Sequence, residues 1–86
     1  MHLDQSVTAV TNASGRPVRL TRPDGSHFGV RRVMAEWQSP GAPRLLRLQV
    51  TTPTGALAIA EVTASAPDAS DPSGVQPAWR LRQLWT

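Results

Sequence analysis

Two pairs of side chains in this chain have the types and spacing for acid–base chemistry. His27 and Asp24 lie three residues apart in "RPDGSH" (22–27). A turn there would bring an imidazole to a carboxylate, the beginning of a catalytic set. Glu36 and Glu61 would make a two-carboxylate pair if their strands met across a cleft. Nothing in the sequence completes either pair. No serine stands in a nucleophile context, and the other carboxylates are scattered. There is no phosphate-binding glycine loop, nucleophile elbow or His/Cys ligand spacing. Absence of cysteine removes disulfides, thiolate ligands and a cysteine nucleophile. The expectation is a protein that is not an enzyme, with no cofactor and no metal. His27 then reads as a solvated histidine beside a turn.

Arginine supplies the one functional pattern with spatial logic. All nine basic residues are arginine. A GC-rich genome accounts for that without function, yet the guanidinium fork still pairs with phosphate or carboxylate. The formal net charge is +3, and residues 16–63 alone carry +4, which hints at an anionic partner. On the strands set out below, Arg19, Arg47, Arg80 and Arg82 take outward parity, while Arg31 and Arg32 sit at a break in parity. If those strands adjoin, the arginines pave one face suited to the phosphate backbone of DNA or RNA. That face lacks outward aromatics for base stacking, because Trp37 and Trp79 fall on inward parity. Trp85, one residue from the end, reads either as a packed terminus or as a partner-binding anchor. The candidate nucleic-acid- or partner-binding residues are Arg19, Arg31, Arg32, Arg47, Arg80, Arg82 and Trp85.

The elements that must position them are strands. Glycine and proline punctuate the chain every ten to fifteen residues, with alternating stretches between, which predicts a small all-β domain. "PVRLT" (17–21) is a strand, "RPDG" a turn, and "HFGVRRVMAEW" (27–37) the returning strand. Phe28 and Val30 share one face but Val33, Ala35 and Trp37 the other, so a β-bulge is predicted near Arg31–Arg32. "RLLRLQV" (44–50), "ALAIAEV" (56–62) and "AWRLRQLW" (78–85) follow. The fold class is an all-β, five- to six-stranded antiparallel meander, curled into an SH3-like or barrel-like sheet. Its expected core is Val18, Leu20, Phe28, Val30, Val33, Trp37, Leu46, Leu48, Val50, Leu57, Ile59, Trp79 and Leu81.

The 86 residues make a single domain. Residues 1–14 read as a poorly defined N-terminal segment, with "SVTAVT" (6–11) adding a short edge strand. Residues 64–77 lack periodicity and read as a mobile loop. "MHLDQSVTAV" has no basic n-region or apolar h-region, and no apolar run approaches the roughly 20 residues that span a bilayer. A cytoplasmic protein without membrane contact is expected.

In order, "GRPVRL", "FGVRRVMAEWQ", "RLLRLQVTTPTGALAIAEV" and "WRLRQLW" resemble a family of small bacterial β-domains. That family is common in actinobacteria and often encoded beside error-prone or Y-family DNA polymerases. The corresponding positions are Gly15, Arg16, Pro17, Val18, Trp37, Arg47, Gly55, Trp79 and Leu81, and the likeness spans residues 15–85. Where the family carries aromatics this chain has Arg22–Pro23 and Leu45–Leu46, and it ends on Trp85–Thr86 in place of an acidic residue. The resemblance implies an accessory domain in DNA damage tolerance, with Trp37 and Trp79 structural and a polymerase-associated protein as one partner. Two functions stay open: a binding module for DNA replication or repair that contacts nucleic acid, or a protein–protein adaptor without nucleic-acid affinity.

Overall fold

Three hairpin turns, at 12–16, 22–26 and 52–56, are built alike. In the second, the Arg22 amide donates to the Ser26 carbonyl (3.0 Å) and the Gly25 amide donates back to the Arg22 carbonyl (2.9 Å). In the third, Thr52 and Gly55 make the same two bonds, to Ala56 at 2.8 Å and to Thr52 at 2.9 Å. Gly25 and Gly55 stand at φ +90° and +88°, the left-handed geometry that closes a three-residue hairpin loop. Local side chains cap the turns: Asp24 Oδ1 accepts from the Ser26 amide, and Thr52 Oγ1 from the Ala56 amide. A Cβ on Gly55 would meet nothing within 4 Å. Gly55→Ala should therefore lower stability through backbone strain alone, by about 1–2 kcal/mol, and Gly55→Asn by less. Thermal unfolding of the two variants checks this; equal stability of Ala and Gly would contradict the turn geometry.

The computed structural model describes residues 2–65 and 78–86. It contains six strands: β1 (His2–Thr11), β2 (Pro17–Thr21), β3 (His27–Trp37), β4 (Arg44–Thr51), β5 (Leu57–Ser65) and β6 (Ala78–Trp85). Each pairs antiparallel with the next, and β1 also pairs with β6, so the sheet closes into a barrel. The all-β meander is thus what the turn spacing predicted. The N-terminal segment is a correction. It is neither poorly defined nor an edge, because β1 hydrogen-bonds on both sides and turns Val7 into the core. β5 continues through Ala64 and Ser65, two residues into the predicted 64–77 loop. The remainder of that loop, and the mobility expected of it, lie outside the described residues.

A six-stranded barrel has a narrow interior, filled by large and small side chains in alternation. β4 sends in Leu46, Leu48 and Val50, and their direct partners on β5 are Val62, Ala60 and Ala58. On its other side β5 sets Ala60 against Leu84, Val62 against Leu81 and Ala64 against Trp79. Small residues on β5 make room for large ones from both neighbours. Leu20 and Phe28, paired across β2 and β3, fill the next sector, with Val30 and Val33 packed against the core.

Four residues expected inside are not in the core. Leu57 (56% exposed) and Ile59 point outward, because the alanines take the inward parity of β5. Val18 is exposed, since the β1–β2 register shifts opposite it and Pro17 is buried instead. Trp37 is 45% exposed, because β3 has two bulges. The predicted one is present: Val30 pairs with Val50 and Arg32 with Gln49, leaving Arg31 extra. The second leaves Met34 extra between Val33, opposite Leu48, and Ala35, opposite Arg47. It restores the original parity and carries Trp37 outward beside Leu45. An equivalent shift in β6 leaves Arg82 extra, so Leu84 is buried and Trp85 faces out.

Candidate nucleic-acid interface

The acid–base pairs suggested by spacing are each bonded elsewhere. His27 Nδ1 lies 2.9 Å from Thr21 Oγ1, its cross-strand partner. Asp24 accepts from the Ser26 hydroxyl at 2.6 Å and the Ser26 amide at 2.9 Å. Those two bonds, the hydroxyl's first, hold its carboxyl below the ordinary aspartate value. Glu36 pairs with Arg44, and Glu61 with Arg47. Among the described residues no group of three or more His, Cys, Asp or Glu could hold a metal ion.

The six predicted arginines do not pave one face. β2, β4 and β6 are not neighbours in the closed barrel, so Arg19, Arg47 and the Arg80–Arg82 pair point in different directions around it. Arg80 Nε and Arg82 Nη1 converge on Asp4 Oδ1 at 2.7 and 3.2 Å. Arg47 is matched by Glu61. The remaining three do collect. Arg19 stands opposite Gly29, and Arg31 lies two positions along β3 from that glycine, a diagonal neighbour at roughly 7–8 Å. The bulge turns Arg31 and Arg32 both to solvent. Among the described residues none of the three has an ion pair. Gly29, with no side chain, leaves the ground between them open.

Arg32 also begins a cross-strand row that continues through Gln49, Ile59 and Trp85. The next row is Ala35, Arg47, Glu61 and Gln83. Here the exterior turns aromatic. The Arg47 guanidinium carbon lies 5.4 Å from the Trp37 ring centre and 5.8 Å from that of Trp85, within cation–π range of both. Arg47 Nη2 reaches Glu61 Oε2 at 3.4 Å, and Glu61 is only 7% exposed although it points outward. The carboxylate meets the guanidinium, and the guanidinium lies against two indoles that both remain partly exposed. Trp85 is 41% exposed. Met34, Arg47, Ile59 and Trp85 line an open depression here. The arrangement can do two things: offer ring faces to a flat partner, and offer three uncompensated guanidinium groups to an anion a few residues away.

Trp85 was legible as a candidate, but Trp37 and Met34 were not. A signal for this register existed in Glu61. It shares parity with Leu57 and Ile59, so placing those two inside would have aimed a carboxylate into the apolar interior of the barrel, away from the arginines outside. No family model matches the chain, and neither a curated protein nor a solved structure was found similar to it.

Proposed function

We propose that this chain is a non-enzymatic binding module that contacts nucleic acid through the exterior of β2 and β3. The observation that carries the reading is the gathering of Arg19, Arg31 and Arg32 on adjoining strands with no ion pair among the described residues. Four other arginines share Asp4, Glu36 and Glu61 as ion-pair partners. Of the five arginines without an ion pair among the described residues, Arg16, Arg19, Arg22, Arg31 and Arg32, three meet where the bulge splays two guanidinium groups beside a third. Three phosphate contacts release counterions and give a log–log salt slope of roughly −2 to −3. A setting in DNA replication or repair rests on the resemblance of residues 15–85 to the polymerase-linked family, and inspection of the neighbouring reading frames tests it.

Titration of a labelled oligonucleotide at two salt concentrations tests the contact. Arg19→Ala, Arg31→Ala and Arg32→Ala should each weaken binding and reduce the salt slope by about one. Arg80→Ala and Arg82→Ala should change the slope less, since both guanidinium groups are held on Asp4. Equal effects at all five positions would show that no defined strip exists. A second reading, a protein–protein adaptor, is favoured by the apolar exposure of Met34, Leu57 and Trp85 around an internally paired Arg47. Tryptophan, methionine and arginine are the residues enriched at protein interfaces. That reading takes over if no oligonucleotide binds more tightly than about 0.1 mM at low salt.

A further inference from the structure

We propose that the surface selects single strands, stacking bases on Trp37 and Trp85 while the phosphates run along Arg19, Arg31 and Arg32. This rests on the nucleic-acid reading above and names the class of ligand within it. The two indoles are outward and nearly half exposed: Trp85 ends, three strands on, the cross-strand row that Arg32 begins, and Trp37 stands five residues beyond Arg32 on β3. Each lies about 14–17 Å along the sheet from Arg32, a span of several nucleotides. Single-strand binders combine these same parts, a positive track for the backbone and aromatic faces for successive bases. A paired duplex keeps its base faces covered and can use only the arginines.

Arg47 has a separate part in this surface. Its charge is matched by Glu61, and its Nε is buried without a hydrogen-bond partner among the described residues. It contributes little net attraction for phosphate. It lies against both rings, at 5.4 and 5.8 Å, and each indole keeps over two fifths of its surface exposed, where a base can approach. Rings held in place before binding lose less freedom when a base arrives. Glu61, nearly buried beneath, keeps the guanidinium in position. Charge complementarity favours a polyanion over an apolar peptide, because Arg32, two residues along β3 from Met34 of the depression, has no ion pair among the described residues.

The experiment is fluorescence anisotropy of one labelled oligonucleotide, single-stranded and as its duplex, against wild type, Trp37→Ala, Trp85→Ala, the two Trp→Phe variants, and the Arg19→Glu/Arg31→Glu/Arg32→Glu triple variant. Circular dichroism confirms that each variant is folded. The single strand should bind wild type at least about tenfold more tightly than the duplex, and each Trp→Ala should weaken single-strand binding by roughly 5- to 100-fold. Trp→Phe should restore most of that loss, because a phenyl ring still stacks. Duplex binding and the salt slope should be insensitive to the tryptophans. Equal binding of both forms, unaffected by Trp→Ala but abolished by the arginine reversal, would overturn stacking and leave the nucleic-acid reading intact. Absence of binding by either form would overturn both and assign the surface to a protein partner.

Discussion

Leu48→Ala should destabilise the domain by about 2–5 kcal/mol, the range for removing a fully enclosed leucine from a packed core. Leu48 is 0% exposed, with Ala60 beside it on β5 and Val33 on β3. Neither neighbour is large enough to collapse into the cavity. A domain of this size has a total stability of roughly 4–13 kcal/mol, so the variant should melt many degrees lower or fail to accumulate. Leu57→Ala is the matched control. It deletes the same atoms from a side chain 56% exposed and should cost less than about 1 kcal/mol. Chemical denaturation of the pair reads the register of β5 directly. If Leu57→Ala proved as damaging as Leu48→Ala, the alanines would not be the inward residues and the barrel interior would be wrong.

Deleting Arg31 should leave the domain folded while removing the splay of the basic strip. Arg31 is the extra residue between Val30, opposite Val50, and Arg32, opposite Gln49. Without it Val30, Arg32 and Val33 alternate as in a regular strand, so Phe28, Val30 and Val33 all keep the inner face and Arg32 keeps the outer one. The deletion variant should therefore retain native near-ultraviolet circular dichroism, at a cost of about 1 kcal/mol, and lose one phosphate contact. Arg31→Ala keeps the residue count, and hence the bulge, and should stay within about 0.5 kcal/mol of wild type. An unfolded deletion variant would mean that Arg31 is not the extra residue and that the register of β3 is different.

The residues that punctuate the chain were the legible ones. Gly25 and Gly55 sit where left-handed geometry closes a hairpin, and the strand bounds 17–21, 27–37 and 78–85 followed from such signals. The first bulge was legible too, because Val30 and Val33 cannot share a face in a regular strand. Inward parity was harder where apolar residues occupy both faces. In "ALAIAEV" hydrophobicity alone chooses Leu57 and Ile59, whereas a closed narrow barrel needs Ala58 beside Val50 and Ala60 between Leu48 and Leu84. Closure is a property of all six strands, so no single strand announces it. The second bulge has the same character. It places Glu36 on the parity of buried Leu46, but at the strand's end, where the carboxylate stays exposed and pairs with Arg44. The candidate site inherited these errors. The arginines were read on the correct parity, but a flat sheet was needed to gather all of them. Closure dispersed Arg47, Arg80 and Arg82 and kept Arg19, Arg31 and Arg32 together, while the second bulge brought out Trp37.

The three tryptophans allow one measurement to reach the whole surface. Each indole N–H gives its own nitrogen–proton correlation, assignable with the Trp→Phe variants, and Trp79 is buried in the barrel at 3% exposure while Trp37 and Trp85 face out. On titration with a short single-stranded oligonucleotide, the Trp37 and Trp85 signals should move together and saturate, and the Trp79 signal should stay in place. Three unmoved indole signals at a concentration that saturates binding, or a shift confined to Trp79, would contradict the placement of the ligand on this face.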